Sequence, residues 1–371
     1  MTVREQVRPY LRLTLAENVG PKTFRSLVDA FGGAEEAADA SMGAWQRVEG
    51  VGPKKALALQ AVTDGMIEEE LAEADRLGVR IFRLEDDEYP AALKKIPDPP
   101  PLLYVRGRLE PADAVALGVV GSRRCTHYGL EQAERFGGLL GRAGLTVVSG
   151  GARGIDTAAH NGALRAGGRT VAVMGCGLST NYPPENAALF ERIIAEDRGA
   201  LISELPMKTA VLSGNFPTRN RIISGLSLGV LVIEAALPSG ALITAREAAE
   251  QGREVFAVPG RVDSPMSAGT HQLLRDGAHL VADLDDVLGP LGDAGRAIHP
   301  PAPDAEAIPS GLDDLETALL AVLSEGPCNL DDLTRRTGTP IGQAAAAMTM
   351  LVLKGYVRQQ PGNIFARKKN K

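Results

Sequence analysis

Between about residues 79 and 288, short β-rich segments alternate with segments of helical periodicity, and this alternation constrains the fold more than any other feature. Several predicted strands are almost entirely apolar, such as 115–120 and 229–234, which contains the apolar run 229–233. A strand that is apolar on both faces needs helices on both sides, as in parallel sheets. The sequence therefore predicts an α/β fold of Rossmann-like type, a parallel sheet with helices on both faces, over residues 81–288. The predicted strands are 79–84, 102–106, 115–120, 146–149, 170–174, 200–203, 229–234, 254–257 and 279–281.

Residues 1–80 form a different segment, which is predicted to be helical and contains a weak repeat. Asn18-Val19-Gly20-Pro21-Lys22 is echoed by Gly50-Val51-Gly52-Pro53-Lys54. Each Gly-Pro step allows a tight turn and starts the next helix, and it leaves backbone amides facing solvent where a phosphate can bind. The pattern resembles helix-hairpin-helix motifs, which hold nucleic-acid backbones. A compact helical module that uses these turns for packing alone explains the repeat equally well.

The C-terminal part of the chain is predicted to contain a linker and a small domain. Residues 289–311 are rich in proline, alanine and glycine and lack apolar periodicity, which is typical of a linker. Three short helices are predicted beyond it, followed by a hairpin, and this is the outline of a winged helix. We therefore predict a winged-helix domain over residues 312–371. The helices are predicted at 312–324, 329–337 and 341–354, and the hairpin strands at 355–358 and 363–366.

Composition limits the classes of function that the chain can have. The net charge is −6 and the pI is near 5.6, so a protein that coats nucleic acid through general basicity is excluded, and any polyanion site must be local. The cysteines Cys125, Cys176 and Cys328 form no Cys-x-x-Cys pair, which argues against a disulfide framework or a zinc site. We expect no metal and no cofactor. The charged N-terminus and the strand-length apolar runs predict a cytoplasmic protein without a signal peptide or a membrane span.

Two loops that follow predicted strands combine glycine with arginine. The first is Gly121-Ser122-Arg123-Arg124, where glycine allows a sharp turn, Ser122 can cap the next helix and the guanidinium groups suit phosphate. The second runs from Ser149 to Asp156 and includes Gly150, Gly151 and Arg153. Its small residues allow close approach of a bulky anion. Neither a Walker A loop nor a dinucleotide fingerprint fits its spacing. For Arg124 of the first loop, the alternative is a structural role in which it pairs with an acid on a neighbouring helix.

Two further loops are predicted at the same edge of the sheet. Phe216, Arg219, Asn220 and Arg221 lie where a helix begins, so that arginine can contact phosphate, asparagine a base edge and phenylalanine a base. Phe216 could instead fill a gap in the core. Ser239 and Gly240 open another helix N-terminus. Because carboxyl ends of parallel strands meet at one edge, we expect these loops to converge.

Asp156 and His160 lie four residues apart on one predicted helical face, which could be taken for an acid–base pair. An aspartate cap and a packed histidine explain both residues more simply. We therefore predict structural roles for them and no catalytic residue in the chain.

These loops resemble the bacterial DNA-processing protein A family, also called DprA or Smf. The match covers roughly residues 89–288 in the same order. The residues that carry it are Gly121-Ser122-Arg123, Gly150-Gly151-Ala152-Arg153-Gly154-Ile155-Asp156 through His160, Tyr182-Pro183 with Glu185-Asn186, Phe216-Pro217 with Arg219-Asn220-Arg221-Ile222-Ile223, Ser239 to Ala245, and Gly252 to Gly260. The chain departs from the family at Pro184, where members often carry lysine, and at His271, where they often carry asparagine.

The resemblance implies a protein that binds and protects single-stranded DNA and loads the RecA recombinase onto it during natural transformation. It also implies self-association, as a homodimer, through the Rossmann-like domain. By matching motif, Arg123, Arg153, Arg219 and Arg221 would line the DNA pocket. Four such contacts predict that a plot of log affinity against log salt concentration has a slope of about −3 for a single strand.

Two enzyme classes compete with this interpretation. A nucleotide phosphoribohydrolase of the lysine-decarboxylase-like type shares a Rossmann-like sheet, and it resembles Pro-Gly-Gly-x-Gly-Thr followed by a catalytic glutamate. Here the corresponding segment is Leu237-Pro238-Ser239-Gly240-Ala241, with no glutamate before Glu247. A dinucleotide-dependent oxidoreductase is disfavoured by the glycine spacing.

Overall fold

The computed structural model describes residues 3–298, 312–360 and 364–367 of the 371-residue chain. Contacts divide the chain into two compact units, Met1–Pro300 and Pro301–Lys371. The predicted boundaries at residues 80, 288 and 311 stay a prediction. Part of the predicted linker, 299–311, lies outside the described residues, and a short helix, Gly292–Ala297, lies within its first half.

The first unit begins with six helices, which pack around Leu11, Leu27 and Trp45. The two Gly-Pro steps start α2 and α5, each with proline in the first helical turn, where the missing amide proton costs no hydrogen bond. The Trp45 indole donates to the carbonyl of Ala37 at 2.7 Å. The helices are α1 Val3–Thr14, α2 Pro21–Phe31, α3 Ala34–Ala38, α4 Met42–Trp45, α5 Pro53–Ala61 and α6 Asp64–Arg76.

A nine-stranded sheet follows, and its order is β1-β2-β6-β5-β4-β3-β7-β8-β9. The strands are β1 Val79–Arg83, β2 Leu102–Gly107, β3 Ala116–Val120, β4 Thr146–Ser149, β5 Thr170–Val173, β6 Gly199–Ser203, β7 Gly229–Val232, β8 Glu254–Ala257 and β9 His279–Leu280. The helices between and after them are α7 His127–Arg142, α8 Ile155–Arg165, α9 Ala187–Ala195, α10 Asn215–Gly225, α11 Gly240–Glu250, α12 Ala268–Arg275, α13 Asp285–Leu288 and α14 Gly292–Ala297.

The strands from β3 to β9 are parallel, whereas β1 and β2 are antiparallel. All nine were predicted to be parallel, so the prediction was wrong for these two. A parallel crossover usually needs a helix, and the segment between β1 and β2 contains Pro90, Pro97 and Pro99–Pro101 and forms one short 3₁₀ turn, Leu93–Lys95. The α/β class with a Rossmann-like sheet is confirmed.

Helices cover both faces of the parallel part. Leu117 and Val119 of β3 pack with α7 and α8, whereas Ala116 and Val120 pack with α10 and α11. Helices α7 and α8 approach each other closely at Gly137. The lack of a side chain there allows this approach, because a Cβ would overlap the carbonyl of Ala159. This close packing fixes the direction of both helices away from the carboxyl edge of the sheet.

The second unit has the outline of a winged helix, as predicted. Its three helices carry a core that includes Leu319, Leu333 and Leu351. The structure adds a short strand to the predicted hairpin, because residues 328–329 pair with the last strand. The elements are α15 Asp314–Glu325, β10 Cys328–Asn329, α16 Leu330–Thr337, α17 Ile341–Leu353, β11 Val357–Gln360 and β12 Ile364–Arg367.

Across the described ranges, each helix is too short or too polar to cross a membrane. Within the same ranges, His, Cys, Asp and Glu side chains form no group of three that could hold a metal ion.

Candidate nucleic-acid interface

A cleft opens where β3 and β7 lie side by side, at the point where the strand order reverses. The chain leaves these neighbouring strands in opposite directions, so their carboxyl ends separate and leave a crevice. The cleft has a volume of about 710 Å³ and lies within the first unit. Its lining includes residues of all four predicted loops, namely Gly121–Arg124, Ala152 with Asp156, Phe216 with Pro217, Arg219 and Asn220, and Pro238–Ala241. The predicted convergence of the loops is therefore present.

The loop after β3 carries two exposed arginines on the wall of the cleft. The amide of Ser122 donates to the carbonyl of Glu234 at 2.8 Å, and the Ser122 hydroxyl accepts from the amide of Arg124 at 3.1 Å. Gly121 is required here because a Cβ would meet the Glu234 carbonyl at 2.9 Å. The fixed turn leaves Arg123 and Arg124 exposed.

Thr126, and not Ser122, caps the helix that follows this loop. The Thr126 hydroxyl accepts from the amide of Gly129 at 3.1 Å. It also donates to the buried carboxylate of Glu234 at 2.6 Å, and the Thr126 amide donates to the same carboxylate at 2.8 Å. The prediction that Ser122 caps the helix was wrong. The cap lies four residues later, because the turn continues for two residues beyond Arg124 before the helix begins.

Four side chains form a row that runs from the cleft into a small neighbouring pocket, which we call the aromatic row: Arg123, Phe216 and Tyr182 line both, whereas Arg153 lines the neighbouring pocket alone. The Arg123 guanidinium lies 4.9 Å from the centroid of the Phe216 ring. The rings of Phe216 and Tyr182 are 5.6 Å apart, and Arg153 lies 5.9 Å from the centroid of Tyr182. Phe216 is half-buried, since its ring packs closely on Gly175. It therefore lines the cleft and also fills space behind it.

In the glycine-rich loop after β4, two backbone amides donate hydrogen bonds to a carboxylate of the protein itself. The amides of Gly150 and Ala152 donate to the carboxylate of Asp156 at 3.1 and 3.2 Å. Those two amides are therefore already hydrogen-bonded within the protein. Gly151 is also fixed in place, because the side-chain amide of Asn186 donates to its carbonyl at 2.9 Å. Burial raises the pKa of Asp156, although Arg219 and the two amides act in the opposite direction.

His160 is fully buried one turn further along α8, and its Nδ1 lies 2.6 Å from the Thr170 hydroxyl. Burial lowers its pKa to about 3, and the nearby Arg219 acts in the same direction. Asp156 and His160 therefore both have internal partners, but the predicted aspartate cap was wrong, because Gly154 is the residue that precedes the helix. That neither residue is catalytic stays a prediction.

Arg219 lies beneath the cleft with 4% of its surface exposed. Its guanidinium donates to the carbonyl of Val173 and packs against Gly150, where a Cβ would overlap it. Burial lowers the pKa of Arg219 to about 10, and Asp156 partly restores it. Arg219 therefore contributes positive electrostatic potential to the cleft from below. Its guanidinium group is too buried to offer a ligand several hydrogen-bond donors.

Arg221 does not line the cleft, which corrects the predicted site. Its guanidinium makes a bidentate ion pair with Glu204 at 2.6 and 2.7 Å and donates to the carbonyl of Asp98 at 3.0 Å. Arg219 and Arg221 both lie on α10, where residues two apart point to different faces of the helix. This segment was predicted to be a loop at the start of a helix, so both arginines were expected on the same side.

The remaining predicted site residues, Asn220, Ser239 and Gly240, connect α10 with the N-terminus of α11. The Asn220 side chain donates to the carbonyl of Gly240 at 3.3 Å, and the Ser239 hydroxyl accepts from the amide of Ala241 at 3.3 Å. Gly240 faces open space, since no atom lies within 4 Å of a Cβ built there. Asn220 thus braces α11 against α10.

Sequence reasoning missed three residues as site residues: Tyr182, Glu185 and Glu234. Tyr182 and Glu185 were quoted for their motif alone. Glu185 makes a bidentate ion pair with Arg153, and Glu234 holds the turn that carries Arg123. A carboxylate at the end of an apolar strand, as at Glu234, was the available signal.

Comparison with known proteins covers almost the whole chain. The family model described as DNA recombination-mediator protein A matches residues 80–292, the model of the DprA winged helix domain matches 300–363, and that of the DprA-like N-terminal HHH domain matches 4–72. Protein Smf from Synechocystis is 34% identical over 97% of this chain and 98% of its own length. Protein Smf from Escherichia coli is 40% identical over 80% of this chain and 79% of its own length.

Two solved structures share the fold. That of DNA processing protein A from Streptococcus pneumoniae is 34% identical, covers 78% of this chain and 98% of its own, and superposes with a TM-score of 0.65. That of DNA processing protein A from Helicobacter pylori, which concerns the single-stranded DNA binding mode of that protein, is 29% identical, covers 59% of this chain and 98% of its own, and has a TM-score of 0.52. From the sheet, the cleft and these matches, the chain belongs to the DNA recombination-mediator protein A family, also called DprA or Smf.

Proposed function

We propose that this protein binds single-stranded DNA in the cleft and breaks no bond in it. The observation that carries the proposal is the pair of exposed arginines, Arg123 and Arg124, beside an aromatic ring at the point where the strand order reverses. Arginine binds phosphate through a planar fork of donors, and an aromatic face stacks a base without reading its sequence. The single-stranded DNA binding described for the Helicobacter pylori relative supports the same ligand class.

A single strand fits the cleft better than a duplex. Phe216 and Tyr182 sit at the rim, so a base must leave its stack to reach either ring. Single strands offer splayed bases at low cost, whereas a duplex would first have to unpair. We therefore expect a labelled oligothymidine to bind more tightly than a duplex of the same length, as measured by fluorescence anisotropy. Equal affinity for the two would contradict the proposal.

Three arginines are exposed toward an incoming strand: Arg123 and Arg124, and Arg153, whose guanidinium is paired with Glu185 in the free protein. Arg221 is paired in the interior and Arg219 is buried. At roughly 0.7 per contact, a plot of log affinity against log salt concentration should have a slope of about −2 for a single strand. This slope is shallower than the one expected from the sequence.

The first prediction concerns Arg123→Ala. This change removes one phosphate contact and the cation over Phe216, so we expect weaker binding of every sequence tested and a salt slope reduced by about 0.7. The measurement is an anisotropy titration of oligothymidine at several salt concentrations.

Arg142→Ala is the matched control, because Arg142 is an exposed arginine in the last turn of α7, about 22 Å along the helix from its cleft end. It changes the total charge equally. If both variants lose the same affinity, bulk charge and not the cleft holds the strand.

We also propose that the protein is not an enzyme. The acid–base pair that the sequence offers is used internally, since Asp156 accepts from loop amides and His160 contacts Thr170. Incubation with nucleoside monophosphates should release no free base. Sustained release would instead favour a phosphoribohydrolase.

The finer role follows from the family. We propose that the protein protects single strands, loads RecA recombinase onto them during natural transformation in the cytoplasm, and acts as a homodimer through the Rossmann-like domain. The match to a recombination-mediator family supports this role. Addition of the protein should restore the DNA-dependent ATPase of RecA on a strand covered by a single-strand-binding protein. Sedimentation equilibrium would test the dimer, and a monomer at micromolar concentration would contradict it.

A further inference from the structure

Glu185 is held in a defined place next to Arg153, at the end of the aromatic row. It lies in a 3₁₀ turn, Pro184–Asn186, directly after Tyr182 and Pro183. Asn186 is buried and donates to the carbonyl of Gly151 at 2.9 Å and to the hydroxyl of Thr157 at 2.8 Å. These bonds fasten the turn to the glycine-rich loop that carries Arg153. The backbone therefore positions Glu185 opposite Arg153.

The two side chains meet in a fork-to-fork arrangement. The Arg153 Nη2 donates to both carboxylate oxygens of Glu185 at 2.8 and 3.0 Å, and its Nε donates to one of them at 3.1 Å. Two oxygens on one centre are also what a DNA phosphate offers to a guanidinium group. The carboxylate thus fills the position at Arg153 that a phosphate would take.

Building on the proposed binding of single strands, we propose that Glu185 is an internal competitor of DNA: its carboxylate occupies Arg153 until a phosphate displaces it, and it thereby sets the affinity of the cleft. Arg153 stays stacked beside Tyr182 in both states, so the exchange needs a movement of the Glu185 side chain alone.

The exposure of the pair makes such an exchange feasible. Arg153 is 49% exposed and Glu185 is 61% exposed, so water and salt weaken their attraction. A strand already held by Arg123 and Arg124 brings its next phosphate to Arg153 at high effective concentration. The backbone amide of Glu185 and, after it, Arg153 lower the pKa of this carboxyl group, which is charged at neutral pH and repels the incoming phosphate.

The test is Glu185→Gln in the full chain, with labelled oligothymidine as the probe. Glutamine keeps the volume and removes the charge, so the free Arg153 should bind the strand on the order of three- to tenfold more tightly. Glu191→Gln is the matched control. Glu191 makes a similar bidentate pair with Arg106 at 2.9 and 3.1 Å, and Arg106 pairs with Leu201 in the middle of β6, so this ion pair lies away from the carboxyl ends of the strands. This control should leave the affinity unchanged.

A double-mutant cycle separates competition from a general change in charge. In an Arg153→Ala background, Glu185→Gln should improve binding by about twofold or less, because the competed group is gone. A gain of equal size in both backgrounds would overturn the proposal. So would an affinity of Glu185→Gln no higher than that of the wild type, with thermal melting showing both proteins folded. If the wild type itself binds no single strand, the proposed function fails, and that result is distinct from either of these.

Discussion

Asp156, His160 and Arg219 form a buried polar layer beneath the cleft. Arg219 lies close enough to both side chains to influence their pKa values, and Asp156 in turn raises the pKa of Arg219. Buried charges of this kind need partners, and here the partners are loop amides and the Val173 carbonyl. The layer therefore fixes the glycine-rich loop and supplies positive potential from below.

The buried imidazole gives a prediction about pH. The pKa of His160 is about 3 in the folded protein and about 6.5 in an unfolded chain. Between these values the unfolded chain binds a proton that the folded protein does not, so the free energy of unfolding decreases as the pH falls. From pH 7 to pH 5, His160 should contribute a loss of about 2 kcal/mol.

Urea denaturation at the two pH values measures this loss, and His160→Gln should lack it. His127→Gln is the control, because His127 is exposed on α7 and pairs with Glu131 at the surface. A pH dependence that is the same in wild type and His160→Gln would show that other groups cause it.

At the scale of elements, the strands were predictable and the direction of side chains was not. Apolar runs bounded by glycine and proline placed 146–149 and 254–257 to the residue. The antiparallel start of the sheet was missed, because an apolar run carries no information about the direction of its neighbour.

The site was predictable where a turn presents its residues and less so inside a helix. Arg123 follows a strand directly and is exposed, as predicted. Arg221 lies on the second turn of α10, and its partner Glu204 comes from a loop after β6 that no local pattern connects with it. Long-range ion pairs of this kind depend on the tertiary fold, which the spacing of residues along one segment does not reveal.

The junction between β7 and α7 gives a prediction at this scale. Thr126→Val removes the cap of α7 and also leaves the buried carboxylate of Glu234 without its hydroxyl donor. Loss of a cap costs about 1 kcal/mol, and a buried charged acceptor that loses a donor adds about 1–3 kcal/mol. We expect a total loss of roughly 2–4 kcal/mol in chemical denaturation.

Thr63→Val is the comparison for this prediction. Thr63 caps α6 by accepting from the amide of Met66 at 3.3 Å and so tests the cap alone. It should cost about 1 kcal/mol. Equal losses in the two variants would mean that Glu234 contributes nothing through Thr126.

At the scale of the whole molecule, the cleft draws all its lining from residues 120–266, within the first unit. We therefore predict that deletion of residues 311–371 leaves the affinity for oligothymidine within about twofold and the salt slope unchanged, since no arginine of the proposed DNA site is removed. Anisotropy titration of the shortened protein measures both. A drop of tenfold or more, with an unchanged circular dichroism spectrum of the first unit, would place the main site in the winged helix.

The walls of the cleft come from places more than a hundred residues apart along the chain, from Arg123 to Gly240. During synthesis, the turn that bears Arg123 leaves the ribosome long before the strand that must lie next to it. The cleft is therefore complete only after β7 and α11 have emerged and docked, so its assembly comes late in the synthesis of the first unit.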